Sequence, residues 1–139
     1  MADVPEVLAG LINEVLEYVV DDVIPSGEPL QVIALTVTAS DVRKLDRITA
    51  ETYADAPRIA RQTVASRSGS CAYGLIAWSD AVTIAGMWSE AILVEGAGAG
   101  GDESYVVAQR FGRRGIRRKT AYLIGTPILV RRGDALLAD

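Results

Sequence analysis

The chain predicts an α+β protein: a single antiparallel sheet of about five or six strands, closing in a C-terminal meander, with an N-terminal helix and a second helix packed on it. Three observations predict it. A long segment near the N-terminus repeats apolar residues at close to helical spacing. From Cys71 on, short β-branched segments follow one another with glycine-containing turns between them. Half of the 139 residues are apolar and only 6% are aromatic, so the expected core is Val, Leu, Ile and Ala, with Trp78, Trp88 and a few tyrosines as its large pieces. A chain of this length fits one domain over residues 1–139 and buries well over half of its unfolded surface, which folds without disulfide or metal.

Residues 5–24 read as the first helix. Asp3 and Glu6 have capping-box spacing, and Pro5 is tolerated in the first turn. Apolar residues at 7, 8, 11, 12, 15, 16, 19, 20, 23 and 24 recur every four positions. At about 100° per residue such a stripe drifts by about 40° per step, so the buried face wraps round the helix and suits contact with two neighbours or a second chain. Pro25, Ser26 and Gly27 stop it. Residues 30–38 (LQVIALTVT) form a strand apolar on both faces, which predicts a central, doubly covered position. Residues 41–49 (DVRKLDRIT) fit two readings. Val42, Leu45 and Ile48 are spaced by three, as in a helix, and the position after Thr38 suits the return strand of a hairpin. Residues 51–65 read as the second helix in their latter half, with Asp55 as cap, Pro57 in the first turn, and Ile59, Ala60 and Val64 on one face. After the loop 66–70, strands are expected at 72–79, 81–85, 89–95, 104–111 and across 121–132.

Gly96, Gly98 and Gly101 spell G-x-G-x-x-G after an apolar run. Dinucleotide binding needs a helix next, whose amino end meets the pyrophosphate, and an acid about 20 residues on. Residues 104–111 (SYVVAQRF) read as a strand instead, and Ile116, Arg117 and Arg118 stand where the acid belongs. No Gly-Lys-Ser/Thr follows for a P-loop. Gly96, Gly98, Gly100 and Gly101 are therefore expected as a flexible hairpin loop, a place where a partner could bind.

The chain has no histidine, which removes the commonest general base and most zinc sites. Cys71 is the single cysteine and reads as a buried small side chain, in keeping with a reducing compartment. Lys44 and Lys119 lie in charge-rich segments. Asp80, Glu90 and Glu95 sit near strand ends, where acids are ordinary turn residues or, if brought together, a carboxylate pair. No catalytic residue, metal or cofactor is assigned. The N-terminus lacks the basic start of a signal peptide and no long uncharged apolar run occurs, so a cytoplasmic protein without membrane contact is expected.

The net charge of −4 hides a division. Residues 1–60 hold 11 acidic and 4 basic side chains, whereas residues 61–139 hold 7 acidic and 10 basic. Arg110, Arg113, Arg114, Arg117, Arg118, Lys119, Arg131 and Arg132 occur with no acid among them, a candidate basic patch with Phe111 and Tyr105 as stacking groups. This division suggests internal pairing of an acidic helix with a basic strand region, or complementary surfaces on separate molecules. The functional expectation is a non-catalytic module that works through protein–protein contacts, including self-association as a homodimer. The alternatives are nucleic-acid or phosphate-ligand binding through Arg110 to Lys119, and a small histidine-free enzyme using the strand-end carboxylates.

Overall fold

The structure, a computed structural model, describes residues 3–101 and 103–137. It is a six-stranded, wholly antiparallel open sheet in the order β2-β1-β3-β4-β5-β6, with one helix on each face. The elements are α1 (Glu6–Val23), β1 (Ile33–Val37), β2 (Arg43–Arg47), α2 (Ala56–Ala65), β3 (Tyr73–Ile84), β4 (Met87–Gly98), β5 (Glu103–Arg114) and β6 (Thr120–Asp134). Neither helix is long and apolar enough to cross a membrane.

α1 buries Leu8, Leu11, Ile12, Val15, Leu16, Val19 and Val23 on Ile33, Leu35, Leu75, Ile92, Val94 and Val107. The four-residue repeat thus resolves into an ordinary i, i+3, i+4 stripe. Its drift appears only at the margins, where Val7 is exposed and Val20 and Ile24 are half-buried. Pro5 takes the N-cap position with no side-chain hydrogen bond, so Asp3 and Glu6 form no capping box there. On the opposite face, α2 buries Ala56, Ala60 and Val64 against Ala34, Ile76 and Trp78. Ile59 is half-buried at its margin. Asp55 stands at the N-cap of α2 but does not cap it; its carboxylate accepts from Thr52 Oγ1 at 3.0 Å.

A glycine lies beneath each helix. A Cβ on Gly96 would meet Leu8 at 3.0 Å and Ile12 at 3.3 Å, so this strand glycine lets α1 approach the sheet. A Cβ on Gly74 would collide with Val64 Cγ1 of α2 and meet Leu137 at 3.3 Å. β1 is not at the centre of the sheet but second from its edge, inside β2, and is nonetheless buried throughout, as its two largely apolar faces require.

The ambiguous segment is the return strand: β2 pairs with β1 from Ile33 opposite Arg47 to Val37 opposite Arg43. Thr38 Oγ1 accepts from the Val42 amide at 3.0 Å, and Asp41 turns the chain with φ 68°. Of the helix-spaced trio only Ile48 is buried, while Val42 and Leu45 are exposed. The separate strands expected at 72–79 and 81–85 are one, because β3 runs unbroken through Asp80 to a turn at Ala85 and Gly86. Gly96 and Gly98 belong to β4, opposite Leu75 and Tyr73, so the loop is confined to the residues after them. Gly100, at φ 76°, and Gly101 lie in it, and Asp102 falls outside the described residues. β5 follows at once and pairs back on β4, Gly96 opposite Tyr105, so no helix begins after the glycines.

Candidate functional site, an end formed by two hairpins

The sheet is uneven in length, and that positions its most exposed apolar residues. β1 pairs with β3 only over Tyr73–Ala77, and β5 pairs with β4 only as far as Glu90 opposite Phe111. The outer parts of the β3–β4 hairpin and of the β5–β6 hairpin therefore project past their neighbours at the same end. Met87 and Trp88 lie on the first, each 69% exposed, and Ile116 caps the second at 89%. The backbone after α1 closes in beside them: Ala121 N donates to Pro25 O at 2.8 Å and Arg113 Nη1 to Gly27 O at 2.9 Å.

A groove of about 380 Å³ opens beside Trp88, bounded by Glu28, Pro29, Tyr53, Asp80, Glu90 and Arg113 among others. Arg113 pairs with Glu90 at 2.7 Å, which leaves Glu28 and Asp80 with no ion pair among the described residues. Among the described residues Asp80 accepts only from the Ala81 amide, at 2.8 Å. Tyr53 Oη is fixed by Leu30 O at 3.1 Å and by Ser79. Asp80 and Glu90 both border this groove, but alternation along the strands turns Asp80 to the face of Trp78 and Val82 and Glu90 to the face of Ile92 and Phe111, so they do not form a carboxylate pair. Arg113 already neutralises Glu90, and no group of three metal-binding side chains occurs among the described residues.

Glu95 is elsewhere. It is 2% exposed, on the α2 face, with Ser104 Oγ donating to Oε2 and Arg61 Nη2 in ionic contact with Oε1 outside hydrogen-bond geometry. Arg61 in turn stacks over Trp78 at 5.6 Å. The floor of this second groove, about 560 Å³, is an internal ion pair rather than an exposed acid, with Glu95 Oε1 lacking a hydrogen bond among the described residues.

The basic residues divide into two groups. β6 runs antiparallel to β5, so Arg113 and Arg114 face Ala121 and Thr120 while Arg131 and Arg132 face Val106 and Tyr105. Eight residues of strand separate the groups, or about 26 Å at 3.3 Å per residue. Arg132 stacks on Tyr105 at 5.6 Å and lies 3.8 Å from Glu103, and Arg131 rims the Glu95 groove. Arg110 is half-buried, its Nε without a hydrogen bond among the described residues. Arg114 stacks on Tyr122 at 5.2 Å. Arg117 and Arg118 occupy a turn with φ 61° and 53°, and with Lys119 they are exposed and form no ion pair among the described residues. Phe111 is 4% exposed and is no stacking platform.

The acidic helix does find basic partners, but on β2: Arg43 pairs with Glu14 at 2.8 Å and Arg47 donates to Tyr18 Oη at 2.6 Å. Cys71 is buried, its thiol donating to Arg67 O at 2.9 Å. Sequence reasoning missed Met87, Trp88, Ile116 and Glu28. It assigned Trp88 to the core, and the available signal was its place two residues from the Gly86 turn, on the tip of a hairpin. Compared with protein-family models, curated proteins and solved structures, the chain matches none.

Proposed function

We propose that this protein is a non-catalytic binding module acting through protein–protein contacts, with the two-hairpin end as its contact face. One observation carries the reading: one end of the sheet leaves Met87, Trp88 and Ile116, all more than two-thirds exposed, on two hairpin tips, with Arg114, Arg117, Arg118 and Lys119 on the second. Tryptophan, methionine and arginine are among the side chains that protein interfaces concentrate, each covering a large area. Large apolar groups left in water favour a partner that covers them. The four cations favour a second reading, a nucleic acid or another phosphate ligand. Glu28 and Asp80 at the adjoining groove, neither in an ion pair among the described residues, oppose a polyanion, which puts protein first. A cytoplasmic location, consistent with the lone thiol, completes the reading.

The test is a photo-crosslinking residue placed at position 88, with position 45 on the β2 edge as control, in the cells that make the protein. A discrete protein adduct at 88 and none at 45 is expected. No adduct at 88 above the control contradicts the contact face.

A further inference from the structure

β5 and β6 fall out of step beside Gln109. Ala108 lies opposite Ile128 and Arg110 opposite Ile124, so Gln109 alone faces three residues of β6, Gly125, Thr126 and Pro127. A bulge of this kind interrupts the ladder and leaves backbone carbonyls without their amide partners. Gly125, at φ 65°, turns the chain there, and Pro127 has no amide to give. The Gln109 side chain fills the gap. Its Nε2 donates to Arg110 O at 3.0 Å and to Ile124 O and Gly125 O, each at 3.2 Å. Three carbonyls round one atom require the NH₂ end, which fixes the orientation of the amide.

The same side chain lines a groove of about 270 Å³ between α1 and β6, whose apolar walls are Leu16, Val20, Ile92, Leu123 and Pro127. The groove lies on one face of the sheet: Ile92 is opposite Gln109, Leu123 is opposite Phe111, and Ile92 and Phe111 belong to the core beneath α1. Gln109 is only 6% exposed, yet among the described residues its Oε1 accepts no hydrogen bond. With Nε2 held in the bulge, Oε1, unpartnered but not sealed from solvent, is the end left to face the groove. A buried acceptor is costly until an N–H or O–H reaches it. The charged residue of the lining is Glu17, which is exposed and forms no ion pair among the described residues.

We infer that this groove is a binding site for a small apolar amine, a single ring or short branched chain that carries an ammonium. The apolar body fills the space between Leu16, Ile92 and Leu123, an N–H donates to Gln109 Oε1, and Glu17 answers the charge at the mouth. The volume sets the size, since ligand pockets commonly begin at about 300 Å³. The lining sets the sign: it holds a free acceptor and a carboxylate but no cation, so a carboxylate or phosphate ligand finds no positive partner. The site is independent of the hairpin end.

The experiment titrates the isotopically labelled full chain with four single-ring probes at neutral pH, followed by NMR. 2-Phenylethylamine is expected to shift the methyl resonances of Leu16, Val20, Ile92 and Leu123 and the side-chain amide of Gln109. 2-Phenylethanol keeps a donor without the charge and should bind about 2–5-fold more weakly, the worth of one exposed ion pair. Propylbenzene has no donor and should bind about 10-fold more weakly again, because it strands Oε1. Phenylacetate should not bind measurably. Glu17→Gln, at an exposed position, should bring the amine down to the level of the alcohol and leave the alcohol unchanged. Gln109→Met should erase the difference between the alcohol and propylbenzene, with circular dichroism to check that it folds without the donor to the bulge. If it does not fold, the comparison of those two probes on wild type reads the acceptor by itself. Four results would each overturn the proposal: no shifts in the groove with any probe, propylbenzene bound as tightly as the alcohol, phenylacetate bound as tightly as the amine, or an amine affinity indifferent to Glu17→Gln.

Discussion

Asp46 shows how a single charged residue holds an edge strand in place. It lies on β2, and its carboxylate accepts from Arg67 just beyond α2. That hydrogen bond lowers the Asp46 pKa, and the same contact raises that of Arg67. A carboxylate with a lowered folded-state pKa contributes stability in full above its unfolded value, about 3.9, and loses it as pH falls through the folded value. Asp46→Asn is therefore expected to cost about 1 kcal/mol at neutral pH. Its urea-denaturation stability should converge with wild type as acid protonates Asp46, and parallel pH curves would contradict this. The pairing was not legible in the sequence, because 21 positions separate the two residues and a hairpin and a helix bring them together. Trp88 was illegible for a related reason. A tryptophan in an apolar strand reads as core until the lengths of the neighbouring strands are known. Cys71 was legible, since a lone cysteine among small residues has little to do except pack.

At the scale of elements, the legible features were those with a strong local pattern. The N-terminal helix, the doubly covered β1 and the hairpin after the glycines all stand where periodicity and β-branching place them. Residues 41–49 did not separate, because Val42, Leu45 and Ile48 imitate a helix while the hydrogen bonds that make Arg43–Arg47 a strand come from β1. The glycines of β4 had a use that spacing alone conceals: Gly96 is a seat for α1, chosen by the helix above it. Gly74 does the same for α2 more tightly, since its absent Cβ lies against the branched, fully buried Val64. Gly74→Ala should therefore lower stability by about 1–3 kcal/mol, the usual cost of overpacking a core. Gly69→Ala, where nothing lies within 4 Å, is the control, expected to change stability by about 0.5 kcal/mol or less. Equal effects in urea denaturation would refute close helix–sheet packing at Gly74.

For the whole molecule, the charge division in the sequence has two separate outcomes. The acidic helix is answered by Arg43 and Arg47 of β2, within the N-terminal half, so it does not consume the basic residues of the second half. Those divide along β5 and β6, and the group at the hairpin tip keeps its charge beside the Glu28 and Asp80 groove. The run of arginines was legible, but its geometry was not, because strand register decides that Arg131 and Arg132 lie far from Arg117. Trp78 is buried and Trp88 exposed, so the fluorescence of Trp88, isolated by subtracting the spectrum of the Trp88→Phe protein, reports directly on this end. In the isolated chain its emission should be water-like and quenched by acrylamide, and it should shift to the blue and lose quenching when the protein crosslinked at position 88 is added. Trp88 emission that stays water-like and fully quenchable in that mixture would contradict the hairpin end as the contact face.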